Sequence, residues 1–310
     1  MRKSYLLRAF VVCLCLTVFG TGNALAAGGQ EGTQPTSIFG ADVGPVKRPT
    51  ASLSVSTGLV SDAKIEGDEG KTSVASARAT LRYSNFALTY NVASYGWDDE
   101  EDIPFSYRDE TPWKALHSVT ASYRNEMPLT EKLTLFGSLA VSSSFEEELS
   151  DSFGGSVASG VSYAITDDWK VLGGVALTAH PIGFGVRPAL GLAYRTPRSM
   201  GFSLALGTPV SSASYRFSKS FALRASASLV GGTYRLRDDS PVREKGYVGI
   251  SGLSAGLYAM WNPLPNLSVM AGPDWHFNRE YTFYDDDGDE KDSYDIDDTI
   301  GATLRVNWGF

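Results

Sequence analysis

The chain has 310 residues, with 35 acidic side chains against 27 basic and a formal charge of −8. A hydrophobic content of 43% excludes wholesale disorder. A mean hydropathy just below zero excludes a bundle of membrane helices, which needs repeated apolar runs of about 20 residues. The acidic balance argues against a general nucleic-acid binder, because phosphate contacts need clustered Lys and Arg.

Residues 1–26 have the layout of a cleaved secretory signal peptide. Arg2, Lys3 and Arg8 form a basic start, Ala9 to Phe19 an apolar run, and Ala24 and Ala26 an A-x-A cleavage pattern. Cys13 and Cys15 both fall inside this segment, so the exported chain is expected to hold no disulfide and no Cys-ligated metal. Its removal leaves 24 basic residues against 35 acidic, a formal −11. Residues 27–50, rich in Gly, Pro, Thr and Ala, are expected to be a flexible periplasmic leader.

From residue 51 to 310 the apolar residues alternate with small polar ones. Ala75, Ala77, Ala79, Leu81 and Tyr83 interleave with Ser76, Arg78, Thr80 and Arg82, and Ile300, Ala302, Leu304, Val306, Trp308 and Phe310 close the chain in the same way. Successive strand residues face opposite sides, so each segment has one apolar and one polar face. The predicted strands are 51–61, 72–84, 86–97, 115–125, 132–143, 154–165, 169–180, 186–195, 200–208, 211–217, 220–236, 246–261, 266–277 and 298–310. That makes an all-β chain of fourteen strands, or twelve without the short pair around Thr208-Pro209. Short connections such as Ser84-Asn85 alternate with long acidic ones at 98–114, 144–153, 237–246 and 278–297. This asymmetry predicts a transmembrane antiparallel up-and-down β-barrel with short periplasmic turns and longer extracellular loops. Tyr83, Phe86, Tyr123, Tyr163, Trp169, Tyr194, Phe202, Tyr215, Phe221, Trp261, Trp308 and Phe310 share the apolar parity beside the short turns or the C-terminus, as an aromatic girdle at one membrane interface would.

The terminal stretch Ile300 to Phe310, alternating and ending in Phe, resembles the last strand of bacterial outer-membrane proteins, which implies delivery to the barrel assembly machinery. Arg187-Pro188-Ala189-Leu190-Gly191-Leu192, Tyr215 to Phe221 and Tyr234 to Asp239 are similar to stretches of an uncharacterised family of Gram-negative outer-membrane β-barrels, a domain of unknown function. The resemblance covers most of residues 70–310, implies architecture and an outer-membrane location, and transfers no site residue.

The non-apolar face carries Arg78, Arg82, Arg124, Lys170, Arg187, Arg195, Arg216, Arg224 and Arg305, with Asp274 as the one acid found at that parity. These cations either line the lumen of an anion-leaning diffusion pore or form a solvated periplasmic rim. The remaining inward positions are mostly Ser, Ala, Gly and Thr, which favours an open or partly open lumen over a packed plug. The acidic stretch 284–298 does not fit an EF-hand, since setting Gly288 at position 6 puts Phe283 at position 1. Loose divalent binding there, bridging to lipopolysaccharide, is the remaining metal reading. His117, His180 and His276 lack the local spacing of a hydrolase, so neither an enzyme nor a cofactor is expected. The alternative to a pore or an envelope-structural barrel is a ligand-binding barrel using loops 98–114 and 278–297, with Tyr95, Trp97, Phe105, Tyr107 and Trp113 at the first of these.

Overall fold

The computed structural model describes residues 50–66, 70–106, 110–196 and 200–310. The signal-peptide and leader readings, Thr50 apart, lie outside these residues, as does Tyr107.

The strands are β1 (Ala51–Lys64), β2 (Lys71–Tyr83), β3 (Phe86–Asp98), β4 (Ala115–Pro128), β5 (Leu133–Phe145), β6 (Phe153–Ala164), β7 (Trp169–His180), β8 (Gly183–Arg195), β9 (Gly201–Gly207), β10 (Val210–Arg216), β11 (Phe221–Arg235), β12 (Tyr247–Leu264), β13 (Leu267–Tyr284), β14 (Glu290–Ile296) and β15 (Thr299–Gly309). From β1 to β13 each strand pairs antiparallel with the next. The second edge of β13 pairs with β15 over 267–276 and with β14 over 279–284, and β15 closes on β1. β14 and β15 are therefore two lengths of one wall position, broken at Asp297-Asp298. The result is a closed fourteen-stranded up-and-down barrel, and the short β9–β10 hairpin belongs to it. Closure leaves no sheet edge running the full height of the membrane.

The predicted spans each contain a strand. The difference lies at 278–297, expected as a loop, where β13 runs on to Tyr284 and β14 returns beside it. Outside the barrel, Leu59, Leu88, Leu139, Val157, Leu190 and Leu257 all stand exposed. An apolar band of this extent is a lipid-facing surface.

Two β-bulges reverse the alternation near the long-loop end. Between Val60 and Ala63, β1 carries one residue more than β2. Between Phe277 and Glu280, β13 carries one more than β12, with Asn278 in the left-handed region at φ 52. An extra residue moves every later side chain to the opposite face. Ala63 and Ile65 thus turn inward although they share the parity of lipid-facing Leu59, and Tyr281 and Phe283 turn inward although they share that of Trp275. The Thr299 hydroxyl donates to the carbonyls of Ser61 and Asp62 in the first bulge, 3.2 Å to each.

A third irregularity bends β11. Gly231 has φ 130, and a Cβ there would overlap the Ile250 carbonyl, so the position requires glycine. Beyond it the strand crosses the mouth. Arg235 forms a parallel bridge with Phe145 of β5, and the Glu146 N–H donates to the Arg235 carbonyl at 2.8 Å.

Candidate functional site

The inward face divides into two regions. The half nearer the short turns is lined by hydroxyls, small residues and cations, with one small apolar cluster of Phe136, Leu172 and Ala189. Across neighbouring strands Thr80 and Thr89 share a hydrogen bond of 3.0 Å, and Ser203 and Ser214 one of 2.8 Å. All nine predicted cations take the inward parity of their strands, but the barrel does not gather them in one place. Ser56 of β1 pairs with Arg78 on one side and Arg305 on the other, and Arg78, Arg82 and Arg224 all lie within electrostatic range of Arg305. Arg224 donates to Ser212 Oγ at 3.1 Å. Arg195 and Arg216 sit near one another towards the turns. Arg124 pairs with Glu126 at 2.7 Å at the rim, and Lys170 is exposed at the turn end. Arg187 stands apart, exposed in the half of β8 nearer the long loops.

Asp274 is buried beside this cationic group. Its Oδ2 accepts from Thr303 Oγ1 at 2.7 Å and from Tyr258 Oη at 3.5 Å, with His276 Nε2 3.9 Å away. Tyr258 folds its ring over Gly256, where a Cβ would collide with the phenol. Aromatic and inward, Tyr258 breaks the small-residue pattern of that face, a signal present in its even parity between Leu257 and Ala259.

The half nearer the long loops is dry. Trp97, Phe105, Trp113, Leu116, Tyr234, Val248, Tyr281, Phe283, Ile65 and Ile296 form one buried cluster. Trp113, 1% exposed, meets Trp97 edge-on at 4.9 Å, Tyr281 at 5.4 Å and Phe105 stacked at 5.9 Å. The Trp97 indole N–H donates to the Trp113 carbonyl at 2.7 Å. This corrects two expectations. Of the described residues of loop 98–114, Ile103, Phe105 and Trp113 fold into the mouth instead of projecting outward for recognition, and Tyr95 packs against the same cluster. The outer lumen is packed by these side chains together with those that the two bulges swing inward from the lipid-facing parity. Arg279, inward after the second bulge, and Arg235, 4% exposed and bonded to Asp238 at 2.7 Å, are cations that the parity reading missed.

The cap also ties its loops together. Tyr247 Oη donates to the Asp151 carbonyl at 2.9 Å, and its ring lies 5.7 Å from His180. Burial raises the Glu146 carboxyl above the usual carboxylate range, opposed by the Arg237 N–H that donates to it at 3.0 Å. In the acidic hairpin, Lys291 pairs with Asp285 at 2.7 Å and Arg243 with Asp292 at 2.7 Å. Among the described residues no group of three or more His, Cys, Asp or Glu side chains is placed to hold a metal.

The histidines are dispersed. His117 Nδ1 lies 2.8 Å from Tyr90 Oη, and beside His276 the Thr303 hydroxyl is bonded to the carboxylate rather than to the imidazole. Nucleophilic catalysis requires the hydroxyl on the imidazole. At the turn end, Tyr83 pairs across strands with Phe86 and Phe86 with Tyr123, Trp169 with Tyr194, Phe202 with Tyr215, and Phe221 with Trp261. Trp308 lies 5.7 Å from Phe310, and Tyr163 stands exposed on the same outward face.

No protein-family model and no curated protein matches the chain. Among solved structures, the KdgM porin aligns at 10% identity over 83% of this chain and 99% of its own, with a TM-score of 0.34. The NanC porin aligns at 9% identity over 83% and 100%, with a TM-score of 0.37. The translocator domain of the autotransporter NalP from Neisseria meningitidis aligns at 12% identity over 86% and 90%, also at 0.37. Likenesses this loose assign no solute to this chain.

Proposed function

We propose that the protein is a passive diffusion channel of a Gram-negative outer membrane, exported through its signal peptide, with a preference for anions. The observation that carries this reading is the convergence of Arg78, Arg82, Arg224 and Arg305 in the half of the lumen nearer the short turns. Rings of cationic side chains set anion selectivity in pores. The C-terminal strand ending at Phe310 supports delivery by the barrel assembly machinery to that membrane. The aromatic cap makes conduction intermittent.

The test is single-channel recording from refolded protein in a planar bilayer under a KCl gradient, with folding checked by heat-dependent gel mobility. The expected result is discrete steps with a reversal potential on the chloride side. Arg78→Ser with Arg305→Ser should move that potential towards zero. A folded barrel that carries no current overturns the channel, and a potential near zero in the wild type overturns the anion preference.

A further inference from the structure

The wall of the barrel has a gap at membrane height. β9 and β10 are only seven residues long, about half the length of their neighbours. β8 pairs with β9 only over 191–195, and β11 pairs with β10 only over 222–228. Above that level, residues 183–190 of β8 pair with β7 alone, and, past the Leu229 N–H that donates to the Pro209 carbonyl at 3.0 Å, residues 230–234 of β11 pair with β12 alone. Pro188, with no N–H to offer, sits in this half of β8, where a strand edge without a partner loses nothing by it. Beyond Gly231, β11 leans away across the mouth towards β5, so it does not fill the space.

A bare strand edge facing hydrocarbon costs several kcal/mol for each unsatisfied backbone group, and irregular backbone at that depth is tolerated only where it borders protein or water. Along the gap that edge therefore borders protein or water, and Gly183, Phe184, Val186, Arg187, Pro188 and Leu190 are exposed. Its flank is apolar: Phe184, Val186 and Leu190 of β8 point outward and are 65%, 62% and 62% exposed. On the inward face of the same stretch stands Arg187, exposed. Directly above, the aromatic cap lies across the axial route.

We propose that this gap is a lateral portal through which an amphiphile with an apolar body and an anionic head passes between the lumen and the outer leaflet, its head meeting Arg187. The proposal rests on the channel reading and specifies its solute class and route.

The test uses the refolded full-length barrel in planar bilayers, with dodecanoate dissolved in the lipid as the amphiphile and benzoate in the aqueous phase as the soluble control. Dodecanoate is expected to interrupt the current. Arg187→Gln should raise the half-blocking dodecanoate concentration roughly tenfold, the loss of one charge-assisted hydrogen bond, and leave the effect of benzoate unchanged. Extending the β9–β10 hairpin by four residues on each side of Thr208-Pro209 should abolish block from the lipid while preserving the conductance. If the extended hairpin lacks the gel shift of a folded barrel, Arg187→Gln decides alone. Conductance without block by dodecanoate, block that survives the extended hairpin, or block indifferent to Arg187→Gln overturns the portal and leaves the channel standing. A folded wild-type barrel without current overturns the channel itself.

Discussion

The two halves of the lumen use the same strands for opposite ends. Towards the short turns, inward positions hold Ser, Thr, Gly and arginines, and the alternation runs unbroken from Leu53 to Leu59 and from Val269 to Trp275. Towards the long loops, one extra residue in β1 and one in β13 turn Ile65, Tyr281 and Phe283 inward, where they pack with Trp97 of β3 and with Phe105 and Trp113 of the first long loop. The difference shows that part of a core inside a pore can be built without changing the hydrophobic pattern. For those three side chains a local change in strand pairing is enough.

The largest expected effect comes from breaking the dry half alone. Trp113→Ala should cost about 3–5 kcal/mol, as large aromatic truncations in packed cores do, and the cost should fall on the cap. Hydrogen exchange of residues 98–106 should rise by orders of magnitude while heat-dependent gel mobility is unchanged. If the same substitution abolishes the gel shift, the halves fold as one cooperative body and the comparison fails.

A smaller effect should follow from the second bulge. Asn278 holds φ 52, a conformation that costs a β-branched residue of order 1–3 kcal/mol and glycine very little. Asn278→Val should shorten closed intervals in bilayer recordings, and Asn278→Gly should leave them alone. Equal effects from both would show that the side chain matters and the backbone geometry does not.

The smallest effect is a pH dependence. Because burial raises the Glu146 carboxyl from its ordinary 4.5, the closed cap binds that proton more tightly than an opened one. Its contribution is whole below pH 4.5 and is lost as the pH climbs through the raised value. The closed fraction should fall across that window in the wild type, and Glu146→Gln should flatten the profile.

The wall was legible because lipid on one side and water on the other impose a period of two on every stave, and even the seven-residue β9 and β10 carry it. The cap was not, for a specific reason. Leu59, Ala63 and Ile65 are all odd-numbered, as are Trp275, Phe277, Tyr281 and Phe283, so each set looks like one lipid-facing row. A bulge between its members leaves composition and parity untouched and reverses only the direction in space. Trp97 and Tyr95 did carry a signal, being aromatics at odd positions in a strand whose outward residues Phe86, Leu88 and Tyr90 are even-numbered. The cations were legible as a face, but their grouping around Arg305 depends on the order in which fourteen strands close. The gap beside β8 was visible only as two short strands and one proline.

The seam between β1 and β15 closes the barrel, and its paired side chains are mostly Ala, Gly, Ser, Thr and Val, which distinguish poorly between registers. The Thr299 hydroxyl seated on the carbonyls of Ser61 and Asp62 supplies what the seam lacks. A slip of two residues would preserve every inward and outward assignment along the strands but would carry Thr299 off the bulge. Together with the Asp297 N–H that donates to the Lys64 carbonyl at 2.9 Å, that hydroxyl ties the alignment of the first and last staves to the position of the bulge.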